Sequence, residues 1–83
     1  MKKQTKSNTL SRALNPLPSN LKQTLVTKGL WAAYLARPQY QRNDYIGWIT
    51  RAKLETTRQK RTQQMFDELK QGDRYMKMKW NPR

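Results

Sequence analysis

Five cations fall within eleven residues of this chain: Arg51, Lys53, Arg58, Lys60 and Arg61. Guanidinium and ammonium groups crowded in this way can hold an anion, a phosphate or a carboxylate, through charge-assisted hydrogen bonds. Arg58, Lys60 and Arg61 fall in the first turns of an expected helix, whose free N–H groups and dipole also favour an anion. Three cations there disfavour the isolated helix, so the patch calls for a compensating carboxylate, with Glu55 and Asp44 as the nearest candidates. Arg58 precedes Thr62 by four residues and Met65 by seven, which continues an apolar stripe inward. That placement predicts a bidentate internal pair with Asp44.

Other chemistry is poorly supplied. The 83 residues contain no cysteine, no histidine and five acids. Asp67 and Glu68 are adjacent and point to different sides of a helix, so they form no acid–base pair. No nucleophile–base constellation, zinc spacing or phosphate loop can be assembled. The chain therefore reads as a non-enzyme without metal or cofactor, and no small-molecule substrate is expected. A cysteine-free chain with a basic start but no apolar run after it is expected to be cytoplasmic, soluble and unprocessed.

The net charge is +13, from 18 basic and five acidic residues. Such an imbalance concentrates polyanions and speeds their encounter in a salt-dependent way. A protein, a nucleic acid and an anionic membrane surface are all candidate partners. Near the C-terminus, Trp80 is flanked by Lys77 and Lys79 on one side and Arg83 on the other. That interleaving suits stacking on bases, insertion at a membrane interface, or no contact at all.

The elements that must position these groups are helical. Residues 1–16 are polar and basic and predict a disordered arm. Asn15-Pro16-Leu17-Pro18 blocks helix propagation, and a first helix is expected to be capped by Ser19 or Asn20, with Leu21 and Leu25 buried, helped by Val26. Gly29 stands where a left-handed C-terminal residue belongs. A shorter helix is expected over residues 30–36, with Leu30–Tyr34 and Trp31–Leu35 as inward pairs. A third, over residues 39–54, carries Tyr45, Trp48, Ile49 and Ala52 at i, i+3, i+4, i+7 on one face. Gly47 inside it predicts close approach of another helix. Thr56 and Gln59 fit a capping box for a fourth helix, which buries Met65, Phe66 and Leu69 and stops at Gly72. Trp31 and Trp48 share helical spacing with other apolar residues and read as core rather than as stacking platforms. The segment from Tyr75 to Trp80 alternates apolar and cationic residues, but a lone strand is unstable, so a flexible basic tail is expected over residues 73–83.

The run Tyr45-Ile46-Gly47-Trp48-Ile49, with Ala52-Lys53, Thr57-Arg58 and Arg61, resembles the Y-x-x-W-I-x-x-A-K … T-R-x-x-R pattern of the YdeI/OmpD-associated (bacteriocin-protection) family. The likeness extends over residues 17–72. Thr56 stands where the family commonly has Glu, and Thr62 where an aliphatic residue is common. The resemblance implies a small helical domain linked to bacteriocin or envelope-stress protection, and no catalytic residue.

Together these readings predict an all-α domain of four helices over residues 17–72, between basic arms over residues 1–16 and 73–83. The expected function is that of a non-catalytic cytoplasmic interaction module acting through Arg51, Lys53, Arg58, Lys60 and Arg61, with Lys77, Lys79 and Trp80 assisting. The alternative is a nucleic-acid-binding protein that contacts phosphates through the same patch.

Overall fold

A computed structural model describes residues 14–81. The fold is mostly helical: α1 (Ser19–Thr27), α2 (Trp31–Leu35), α3 (Gln39–Thr50) and α4 (Glu55–Gln71) are followed by β1 (Arg74–Tyr75) and β2 (Met78–Lys79). None of the described helices is long and apolar enough to cross a membrane. The arm expected over residues 1–16 lies mostly outside the described residues. Asn15, at its end, is docked on α3, where its amide groups bond to Asn43 at 2.6–3.2 Å.

Helix starts differ from the expected side-chain caps. Pro18 and Pro38 precede α1 and α3, and their carbonyls accept the first helical N–H bonds, from Leu21 and Lys22 and from Gln41 and Arg42. Each proline is fixed near φ −60° with an extended ψ, the conformation a residue before a helix needs, so Ser19 and Asn20 fall one step too late to cap. Nor do Thr56 and Gln59 form a capping box. Leu54 precedes α4 without a side-chain cap, its carbonyl accepts from Arg58, and the Gln59 amide turns to Glu55.

The glycine stops hold. Gly29 sits at φ +73°, and the bonds Leu30 N–H to Leu25 O and Gly29 N–H to Val26 O close α1 with a Schellman motif. Gly72, at φ +84°, ends α4.

The core brings together Leu21, Leu25, Leu30, Tyr34, Tyr45, Ile46, Ile49, Met65, Phe66 and Leu69, with Trp31 and Trp48 half-buried against it. Leu35 and Val26 are corrections. Leu35 is 49% exposed, because α2 makes little more than one turn and buries only its Leu30–Tyr34 side. Val26 is 53% exposed, beside Leu25 but off the buried face of α1. The third helix ends four residues early, and residues 51–54 form the corner into α4. Ile46, outside the expected stripe, is buried because α3 is covered on a broad front. Gly47 does allow a close approach, though by a side chain and not by a helix. A Cβ there would stand 2.6 Å from the Asn15 amide nitrogen and 2.8 Å from an Arg51 guanidinium nitrogen.

The flexible C-terminal tail is the largest correction. Its apolar–cationic alternation folds on itself as an antiparallel hairpin, pairing Arg74 with Lys79 and Tyr75 with Met78. The two loop residues, Met76 (φ 51°) and Lys77 (φ 67°), are both left-handed, as a type I′ turn requires. Non-glycine residues adopt that conformation at a cost of about 1–2 kcal/mol each, so something must hold them there. The holder is Glu68, a 4%-exposed carboxylate on α4 that accepts the N–H groups of Met76 (2.9 Å) and Lys77 (2.7 Å). It also accepts the Tyr45 hydroxyl and the Gln64 amide. Tyr75 wedges edge-on against Tyr40 and Tyr45 and donates to Asp44 at 2.6 Å.

Candidate functional site

The cationic corner is built where α3 stops and α4 starts, and its five cations divide into two kinds. Arg58 lies one turn into α4 and reaches back. Its Nη1 donates to the Ala52 carbonyl (2.8 Å), while Nε and Nη2 grip Glu55 Oε1 at 3.2 and 2.6 Å. The guanidinium holds the Glu55 carboxyl below the usual carboxylate range, and both groups stand partly in solvent. The expected Arg58–Asp44 pair is therefore overturned. Asp44 lies on α3 and takes the Tyr75 hydroxyl, whereas Glu55 sits one turn from Arg58 on the same helix.

Arg61 is likewise engaged. Its Nη1 donates to the Trp48 carbonyl at 2.6 Å, and its guanidinium lies 5.1 Å from the Trp48 ring centre. A free carbonyl near the end of α3 is thereby satisfied, and Trp48 gains a cation on one face. Arg58 and Arg61 are thus corner struts. Arg51, Lys53 and Lys60 remain, all exposed, and their side chains make no hydrogen bond or ion pair to any described residue.

The tail cations do not join this surface. Lys77 sits at the hairpin turn beside Glu68, 13 positions along α4 from Glu55, a separation of about 20 Å at 1.5 Å per residue. Lys79 lies on β2. Trp80 is no free aromatic: its N–H donates to the Asp73 carbonyl (2.9 Å), and its ring lies 4.6 Å from the Arg37 guanidinium.

Sequence reasoning missed a second polar centre. Arg37 is 4% exposed and donates to Gln41 Oε1 (3.0 Å), the Arg74 carbonyl (2.7 Å) and the Glu68 carbonyl (2.9 Å). With Gln41, Tyr45 and Glu68 it forms a buried polar layer between α3, α4 and the hairpin. Burial, reinforced by the bond to Glu68, raises the Tyr45 hydroxyl above its ordinary value, and burial raises Tyr34 as well. Glu68 carried a readable signal, since it lies three residues after Met65 and beside Leu69, on the buried face of α4. Arg37 carried none, because it lies between helices, where no periodicity marks the inside.

No curated protein sequence and no solved structure matches the chain. One family does: the sequence pattern described as bacteriocin-protection, YdeI or OmpD-associated matches residues 16–72. That span covers the Tyr45–Lys53 run, the corner and the whole of α4. The chain belongs to the bacteriocin-protection, YdeI or OmpD-associated family.

Proposed function

We propose that the protein is a non-catalytic interaction module of the cytoplasm, contacting an acidic partner through the corner of α3 and α4 in protection against bacteriocins or related envelope stress. The stress role rests on the family's description. The carrying observation is the division of labour at the corner. Arg58 and Arg61 are fixed by the protein itself, while the side chains of Lys53, Lys60 and Arg51, the last lying over Gly47, are exposed with no hydrogen-bond or ion-pair partner among the described residues. A rigid corner that presents three unneutralised cations is suited to an anionic surface.

The test compares the wild type with the triple variant Arg51→Gln, Lys53→Gln, Lys60→Gln in a bacteriocin-sensitive bacterial strain. The expected result is loss of protection at an unchanged melting temperature. Retained protection at wild-type level overturns the proposal. Titration with duplex DNA, RNA and anionic vesicles at two salt concentrations identifies the partner class. On duplex DNA, each phosphate-neutralising cation contributes about −0.9 to the log–log salt slope. A slope that flattens by about 2.7 in the triple variant supports the nucleic-acid alternative, whereas no binding to any of the three leaves an acidic protein.

A further inference from the structure

At the opposite end of α4 a cavity of about 490 Å³ opens between α2, the start of α3 and the residues after the hairpin. Its walls include Ala33, Ala36, Pro38 and Leu69, all apolar, with Gly72 leaving open space where a Cβ would stand. Arg37 and Trp80 also line it, and Arg37 supplies the only charge among the lining residues.

Arg37 is incompletely satisfied for a buried cation. Its three acceptors, Gln41 Oε1 and two backbone carbonyls, are all neutral, and no carboxylate among the described residues lies in ion-pair range. The nearby Glu68 carboxylate is committed to Tyr45, Gln64 and the hairpin turn. A guanidinium has five N–H donors, so two of those on Arg37 are left without an acceptor among the described residues. Trp80 shields one face of the guanidinium. Burying a charge without a counter-charge is expensive, and a bidentate carboxylate is the group whose geometry fits two remaining guanidinium donors. The first turn of α3, which follows Pro38, contains no acid and has no side-chain cap, so nothing there opposes an incoming anion.

We propose that this cavity binds a small aromatic carboxylate, with the carboxylate on the free donors of Arg37 and the ring against Trp80 and the apolar walls. A single cation in the lining matches a monoanion and leaves a phosphate dianion undercompensated. The aromatic body follows from apolar walls bordered by an indole. The site is separate from the α3–α4 corner, so either proposal stands if the other fails.

The test is a protein-detected NMR titration with phenylacetate and, as the neutral isostere, phenylacetamide, at constant ionic strength. The expected result is saturable shifts at the Ala33, Ala36 and Gly72 amides and the Trp80 indole N–H. A charge-assisted pair predicts that phenylacetate binds at least about 10-fold more tightly than the amide. Ala36→Leu, at an exposed position on the rim, adds bulk to the cavity wall while leaving Arg37 itself in the chain, and is expected to abolish those shifts while preserving the fold. Equal affinity for the two probes overturns the proposal. Absence of saturable shifts at these positions, or shifts confined to Arg51, Lys53 and Lys60, also overturns it, as does undiminished phenylacetate binding by Ala36→Leu.

Discussion

Replacing Glu68 with alanine tests the reasoning about the hairpin most directly. The carboxylate is 4% exposed and accepts four donors: the Tyr45 hydroxyl, the Gln64 amide and the N–H groups of Met76 and Lys77. These donors do not lose equally. Gln64 and the two turn residues reach partly into solvent and can bond to water, whereas Tyr45 is fully buried and its hydroxyl cannot. Leaving a buried donor unsatisfied costs about 1–3 kcal/mol, and hydrogen bonds to a charged group contribute about 1.5–3 kcal/mol each. Counting Tyr45 in full and the turn amides in part gives a loss of about 3–5 kcal/mol. A domain of this size has a total stability of only about 4–12 kcal/mol, so the variant stands near unfolding. The two left-handed turn residues also lose the group that holds them, so the hairpin should open before the helices do. The control is Asp67→Ala, which loses one exposed bond from Gln63 and should change stability by less than about 0.5 kcal/mol. Urea unfolding followed by circular dichroism gives both stabilities, and amide hydrogen exchange at Met76, Lys77 and Trp80 reports the hairpin. If Glu68→Ala falls within 1 kcal/mol of Asp67→Ala, or if those three amides keep their protection, the view of Glu68 as the clasp is wrong.

Three further outcomes follow from the same contacts. Arg58→Ala loses the bond to the Ala52 carbonyl, a cost of about 1 kcal/mol and a melting-temperature drop of about 4–8 °C, whereas Lys60→Ala leaves the temperature unchanged; equal drops in thermal melts contradict the division into struts and free cations. Arg61→Ala removes both the bond to the Trp48 carbonyl and the cation on its ring, about 1–2 kcal/mol together, and should alter tryptophan emission; unaltered emission and stability would remove Arg61 from the corner. The pKa of the Tyr45 hydroxyl is raised above its ordinary value of 10.0 by burial, so its contribution is intact below pH 10 and declines as pH rises above that value. Alkaline denaturation of the wild type should therefore be steeper above pH 10 than that of Tyr45→Phe, and identical pH profiles would refute the linkage.

How much of this was legible beforehand depends on how local the cause was. Gly29 and Gly72 were readable because a left-handed residue ends a helix whatever surrounds it. Tyr45, Ile49, Met65, Phe66 and Leu69 were readable because helical periodicity names a face, and a face with that composition must be covered. Trp48, on the same face, is half-buried against the core with Arg61 on its ring. The corner cations were found as a cluster, but their roles could not be assigned. Arg58 has carboxylates at Glu55 and Asp44 to choose between, and only the point at which α4 begins, with Glu55 as its first residue, sets Glu55 one turn away on the same helix.

The family and the helical order were thus determined by the sequence alone, through motif spacing, proline and glycine punctuation, and periodic burial. Tertiary structure decided which charges are spent and which are free. Arg37, Glu68 and the hairpin depend on one another across more than 30 residues: the turn at Met76 and Lys77 is held by Glu68, and Arg37 bonds to backbone carbonyls of α4 and β1. No local propensity encodes such a set, because each group is costly alone and becomes favourable only when the others are already in place.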